Sequence, residues 1–341
     1  MKRIGIRLAL AMRAGEWWEF KIVPILAIFY ATSLLAGASI LSLAPGLLLL
    51  LAALVPGAVY VSVLNDLTDR DEDARAGKAN RIAGAPAWLA WVAIAPAVAA
   101  GLAIAWYWRG DPLLLGCYLA AWISFTLYSL PPFRLKVRGA AGLAADAAGA
   151  QLFPTLVAVL LAFRGVGVPV DPLWLLAAGV WAFAHGLRGI LWHQLLDSGA
   201  DEAAGVRTFV QRVPRARAVA LGNYVVWPAE LAALTLLLWK LGSAGPLIGL
   251  LLYALLARQR LRIFRLRPIV VEPQPRYLVL LQEYYTLFLP LSLLVEAALR
   301  RPADGVILIA HLILFPVALS TAVRDVWKLR RSGFLASARA R

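Results

Sequence analysis

The chain has 341 residues, 62% of them hydrophobic and only 16% charged, with a formal net charge of +15 and a mean hydropathy of +0.75. Soluble domains run about 45–50% apolar and about 25% charged, so these figures exclude a disordered chain, a coiled coil, a collagen and an ordinary soluble enzyme. Apolar stretches long enough to cross a bilayer recur from end to end, which leaves an all-α polytopic membrane protein.

In chain order, residues 1–20 are basic and carry Trp17 and Trp18 close to Lys21. That pattern suits an amphipathic interfacial segment; a cleavable signal would have a shorter apolar part. Ten apolar runs follow, at 22–44, 47–64, 88–108, 112–130, 141–163, 171–191, 218–240, 244–257, 280–299 and 305–323, and residues 325–341 form a basic tail. The chain therefore reads as one membrane domain, a helical bundle of nine or ten spans. Connections on one side (the N-terminus, 65–87, 131–140, 188–217, 258–276 and the tail) hold 29 of the 34 Lys and Arg. The other side has only Arg109, Arg164, Lys240, Arg300 and Arg301. Lys and Arg concentrate on the cytoplasmic side of helical membrane proteins, so both termini and the basic connections are expected in the cytoplasm, at the cell (inner) membrane. The basic excess is then topology and lipid headgroup contact, and nucleic acid is not a partner. The single cysteine, Cys117, lies inside a span, which excludes a disulfide and a thiolate metal site and leaves a small packing residue.

The two longest polar connections share a pattern. One runs from Asn65 and Asp66 through Asp69, Asp73 and Gly77 to Lys78 and Arg81, and the other from His193 and Gln194 through Asp197, Asp201 and Gly205 to Arg207. Both contain Asp-x-x-x-Asp-x-x-x-Gly after an even-numbered span, which suggests an internal repeat of four-helix units. Asp66, Asp69 and Asp73 fall on one face of a helix continuing from the second span, and Asp197 with Asp201 on one face below the sixth. Like charges at such spacing repel, so a cation belongs among them. Mg2+ suits hard oxygen donors shared with substrate phosphate. Asp71, Glu72 and Glu202 point elsewhere and read as solvated. Between spans four and five, Pro131 and Pro132 fix a bend, after which Arg134, Lys136 and Arg138 alternate along an extended segment. Carboxylates, metal and fixed cations at the mouth of an apolar bundle would bind a diphosphate with a long apolar tail.

Taken with Tyr128-Ser129-x-x-x-x-Arg134-x-Lys136, the two acidic motifs resemble those of the UbiA-type intramembrane prenyltransferases, over about residue 16 to the ninth span. The resemblance implies an all-helical fold, usually of nine spans, around a central cavity open sideways to lipid. It also implies two Mg2+ ions on a polyprenyl diphosphate, whose allylic cation alkylates an acceptor. Asn65, Asp66, Asp69 and Asp73 would hold one ion and Asp197 and Asp201 the other. Lys78, Arg81 and Lys136 would hold the diphosphate, and Tyr128 would lie near the reacting carbon. Two features depart from the family: the even span count, and the absence of the proline that in quinone-pathway members follows Lys78-Ala79-Asn80-Arg81-Ile82. The acceptor therefore stays open among a small aromatic, a sugar phosphate, a haem-like or chlorin ring and a lipid headgroup. A membrane terpene cyclase would share the ionisation step. A cation or anionic-solute transporter is disfavoured because coupling residues of transporters sit near the bilayer midplane.

Other polar residues in spans are functional candidates by default. Asp146 and Gln151 could line the cavity, while His193 and Gln194 adjoin the second acidic motif. Glu230, beside Pro228, is expected to pair with a neighbour, and His311 to make an interhelical hydrogen bond.

Overall fold

The computed structural model describes residues 13–339, with side chains as far as 331. The interfacial segment foreseen over 1–20 thus lies mostly outside the described residues. Its described part is no separate surface helix, for it forms the first turns of α1 (Ala14–Leu35) with Trp17 and Glu19 turned inward. After α1 come α2 (Leu41–Thr68), the short α3 (Arg70–Ala76), α4 (Trp88–Tyr107), α5 (Pro112–Ser129), α6 (Ala140–Val166) and α7 (Pro172–Leu196). The short α8 (Ser198–Ala204) and α9 (Phe209–Arg212) precede α10 (Arg215–Leu241), α11 (Ala244–Ile263), α12 (Leu289–Arg300), α13 (Gly305–Leu314) and α14 (Pro316–Arg339). One departure from all-helical structure is a parallel pair of three-residue strands, β1 (Arg267–Ile269) and β2 (Tyr277–Val279).

All ten expected runs fall on helices, yet among the described residues only seven helices are long and apolar enough to span, or eight if α13 and α14 count together. Three physical reasons reduce ten to that number. α11 ends in Arg258, Arg260 and Arg262, α12 has only 12 residues after a widened turn at Tyr284–Phe288, and α14 departs from α13 at 78°. The first two runs also shift, because Gly37 at φ +70° ends α1 early and α2 then extends from Leu41 to Thr68.

α1 is the centre of the bundle, with Val23, Ala27 and Phe29 fully buried. Outward positions on other helices carry Trp91, Leu102, Trp106, Trp239 and Leu299 exposed, as lipid-facing helices should. Four helices contain or follow a π turn just before a proline, at Trp18–Ile22, Ala148–Leu152, Gly222–Val226 and Tyr284–Phe288 ahead of Pro24, Pro154, Pro228 and Pro290. Proline lacks the N–H and crowds the carbonyl four residues back, and a widened turn absorbs both defects.

Candidate active site

The two acidic repeats fold alike, and not as the single continuous helix expected. α2 stops at Thr68 and α7 at Leu196. Asp69 and Asp197 occupy the breaks, and a seven-residue helix follows each. Gly77 (φ +66°) and Gly205 (φ +71°) end those helices in the left-handed region, with Lys78 N–H donating to Asp73 O and Val206 N–H to Asp201 O, both at 2.8 Å. This is the Schellman way of closing a helix, so the glycine of each motif is there to stop it. The break turns the carboxylates apart: Asp66 points inward with no exposure, Asp69 meets Arg134 and Lys136, and Asp73 accepts from Asn80 Nδ2 at 2.8 Å.

α3 and α8 pack together, which joins the two motifs. Lys78 spans them, its ammonium 2.8 Å from Asp197 and 3.2 Å from Asp201. Burial pulls the Lys78 ammonium down, but hydrogen bonds and charge from those two aspartates outweigh it and hold it above its usual value. Burial raises the Asp201 carboxyl despite Lys78 beside it. The Arg134–Lys136 segment is a 3-10 turn rather than extended chain, entered with Arg134 at φ +37°. That turn aims Arg134 and Lys136 at one target, Asp69 and Glu72, and leaves Arg138 exposed with its guanidinium on Pro132 O at 2.7 Å. Glu72, expected to be solvated, is in fact half-buried and paired with both of these cations; Asp71 and Glu202 are exposed as expected.

The remaining candidates divide. Arg81 pairs with Glu16, while Arg207 is exposed on the rim. Asn65 accepts from Ser129 Oγ, and Tyr128 lies in the field of Asp146, Asp69 and Asp201. His193 packs its ring on Trp192 and senses Asp146, Asp197 and Lys21. Gln194 is turned to architecture, accepting from Val210 N–H. Glu230 takes no part in this cluster: Arg188 grips it with two bonds of 2.7 and 2.8 Å inside the bundle, beside His185. His311 meets Tyr30 at 3.3 Å. Arg13, which pairs with Asp66, was no sequence candidate for the site, nor were Glu16 and Asn80. Only Asn80, lying between Lys78 and Arg81, had a signal in the motif.

Immediately below Asn65 and Asp66, Tyr60, Val61 and Ser62 line a cavity between α1, α2, α5 and α6. Its walls are apolar, with Trp122 wedged against Gly101 and Phe125 against Gly149, and Trp17 and Lys21 stand where α1 begins. Among the described residues no three His, Cys, Asp or Glu side chains converge as a finished metal cage. The donors still fit a hard divalent ion. They are carboxylate and amide oxygens paired with displaceable Lys and Arg groups, and Asp66 Oδ2 is buried without a partner.

The UbiA prenyltransferase family model matches residues 22–272, about three quarters of the chain. The chain belongs to the UbiA prenyltransferase family. It is accordingly an integral membrane protein. A curated relative, the lycopene elongase/hydratase of Halobacterium salinarum, is 31% identical over 182 residues, which cover 52% of this chain and 61% of that protein. The match thus spans less than two thirds of the relative's length. Two solved structures of a UbiA homologue from Archaeoglobus fulgidus, bound to GPP and Mg2+ and to DMAPP and Mg2+, share the fold at a TM-score of 0.53 and 17% identity. They cover 86% of this chain and 99% and 98% of theirs.

Proposed function

We propose that this UbiA member transfers a polyprenyl group from its diphosphate to an acceptor in the membrane, in an Mg2+-dependent reaction on the cytoplasmic side. The observation that carries the reading is the junction of two acidic breaks through Lys78, directly above an apolar cavity. A substrate with a charged head and a greasy tail matches both halves. Asn65, Asp66, Asp69 and Asp73 would hold one Mg2+, and Asp197 and Asp201 a second. Bound there, the metal supplies Lewis-acid neutralisation of the leaving diphosphate. Lys78, Arg81, Arg134 and Lys136 hold diphosphate oxygens. The allylic C–O bond breaks with its electron pair going to the diphosphate, and an acceptor electron pair forms the new bond as the acceptor gives up a proton. Tyr128 faces the reacting carbon, where an aromatic ring stabilises developing positive charge. The cavity walls take the tail and exclude water.

The acceptor class widens by one: the name of the Halobacterium relative adds an apolar polyene to the aromatic, sugar-phosphate and lipid-head candidates. The test is purified protein in lipid with labelled prenyl diphosphates, Mg2+ and each acceptor class, followed by mass spectrometry. Prenylated acceptor is the expected product. A hydrocarbon formed without acceptor would make the protein a cyclase, and diphosphate left intact under every condition would overturn the reading.

A further inference from the structure

The start of α1 reaches into the charged cluster with opposite charges on consecutive turns. The Arg13 guanidinium sits on Asp66, the fully buried carboxylate of the first acidic motif, and three residues on the Glu16 carboxylate sits on the Arg81 guanidinium. A cation therefore covers a carboxylate assigned above to the metal, and an anion covers a cation assigned to the diphosphate. Trp17, the next residue, lines the cavity and is 7% exposed.

We propose that residues 13–17 are a built-in plug, with Arg13 standing in for the divalent cation on Asp66 and Glu16 standing in for the diphosphate on Arg81. The proposal rests on the transferase reading. Two further features support it. Arg13 adopts φ +52°, a backbone state that an L residue with a long side chain rarely takes unless its contacts hold it. The residues just after it are anchored independently: Trp18 Nε1 donates to Leu314 O at 2.7 Å, and Glu19 accepts from Val317 N–H and Ala318 N–H at 2.6 and 2.7 Å. Those bonds satisfy the free groups where α13 breaks into α14, so the plug has a fixed hinge and a detachable tip. A buried carboxylate without a counter-ion is costly, and Arg13 supplies one until a metal does.

A merely structural ion pair and a plug predict opposite signs. Breaking a structural pair weakens stability and ligand binding together, whereas removing a plug weakens stability and tightens binding. When a closed state dominates, apparent affinity falls by the fraction of protein that is open, so a plug closed about nine-tenths of the time conceals on the order of 10-fold in affinity. The experiment uses the full chain in lipid nanodiscs, with Mn2+ as an EPR-visible probe and inorganic pyrophosphate, and no turnover. Arg13→Gln should bind Mn2+ on the order of 10-fold more tightly. Glu16→Gln should tighten pyrophosphate several-fold. In a Cys117→Ala background, a nitroxide at Ala14→Cys should gain mobility when Mg2+ and pyrophosphate are added together. Equal or weaker binding in both variants, or an unmoved label, would overturn the plug while the transferase reading stands. A wild-type protein that binds neither probe would remove both.

Discussion

At the scale of the residue, the cluster shows how a basic side chain leaves the topological background. Lys136 and Arg330 are each one positive charge on the same face, but Lys136 is buried against Asp69 and Glu72 and Arg330 is exposed on α14. Removing one preorganised donor to a developing charge costs on the order of 10²–10³ in rate. Lys136→Gln should therefore lower prenyl diphosphate turnover by about that factor, with Arg330→Gln nearly silent, when both are assayed in one lipid at saturating Mg2+. Equal small effects would return Lys136 to the background. The opposite face uses its few charges differently. Each of its five cations has a local partner: Arg109 lies on the Trp106 ring, Arg164 meets Asp111, Lys240 meets Asp171, Arg300 meets Glu296 and Arg301 reaches Gly37 O. Asp111 also caps α5 through Leu114 N–H, and its bond from Arg164 holds the carboxyl below its usual value. A depressed carboxyl contributes stability above the unfolded pKa, about 3.9, and loses it as pH falls through the folded value. Asp111→Asn should thus lower the melting temperature at pH 6, and its deficit against wild type should shrink as pH is taken toward 3.

At the scale of the element, the repeated Asp-x-x-x-Asp-x-x-x-Gly is a structural sentence as much as a chemical one. Helical spacing alone suggested one uninterrupted acidic face. Asp at a break, a two-turn helix and a left-handed glycine instead send each carboxylate to a different partner. The sequence held the glycines but not the break, since nothing local forbids a helix through Asp69 or Asp197; packing of α3 against α8 selects it. The two glycines of the second repeat should respond with opposite signs. Gly205 at φ +71° tolerates no β-carbon cheaply, so Gly205→Ala should cost about 1–2 kcal/mol. Gly199 lies inside α8 with open space around it, so Gly199→Ala should gain about 0.5–1 kcal/mol. Thermal unfolding of both variants in one detergent checks the pair, and a stabilising Gly205→Ala would undo this account of the motif.

At the scale of the whole molecule, the structure takes one residue out of the charge asymmetry counted along the sequence. Arg188 belongs to no connection; it is buried in α7 against Glu230, with a third bond to Leu280 O just after β2. Of the 29 counted in the sequence, Arg188 therefore leaves the basic connections. In a Cys117→Ala background, cysteines at Ala79, Phe133, Glu202 and Arg276 should all react with an impermeant thiol reagent from one side, and one at Arg109 from the other. Ala79, Phe133 or Glu202 labelling with Arg109 would separate groups that a single site requires together.

Composition and hydropathy alone determined that this chain lives in a bilayer as a helical bundle, because lipid admits few other backbones. Motif spacing determined where the carboxylates and cations fall along the chain, and with them the family. Tertiary structure alone decided which charges meet. Lys78 bridges two motifs about 120 residues apart in sequence, Glu72 is drawn in, Arg138 is left out, and Arg13 and Glu16 come to the site from the first turn of α1. It also decided that ten apolar runs do not make ten straight spans, since the bend between α13 and α14 is fastened by Trp18 and Glu19, some 300 residues earlier. Periodicity is a property of neighbours along the chain, and an ion pair between distant segments leaves no trace in it until the helices are packed.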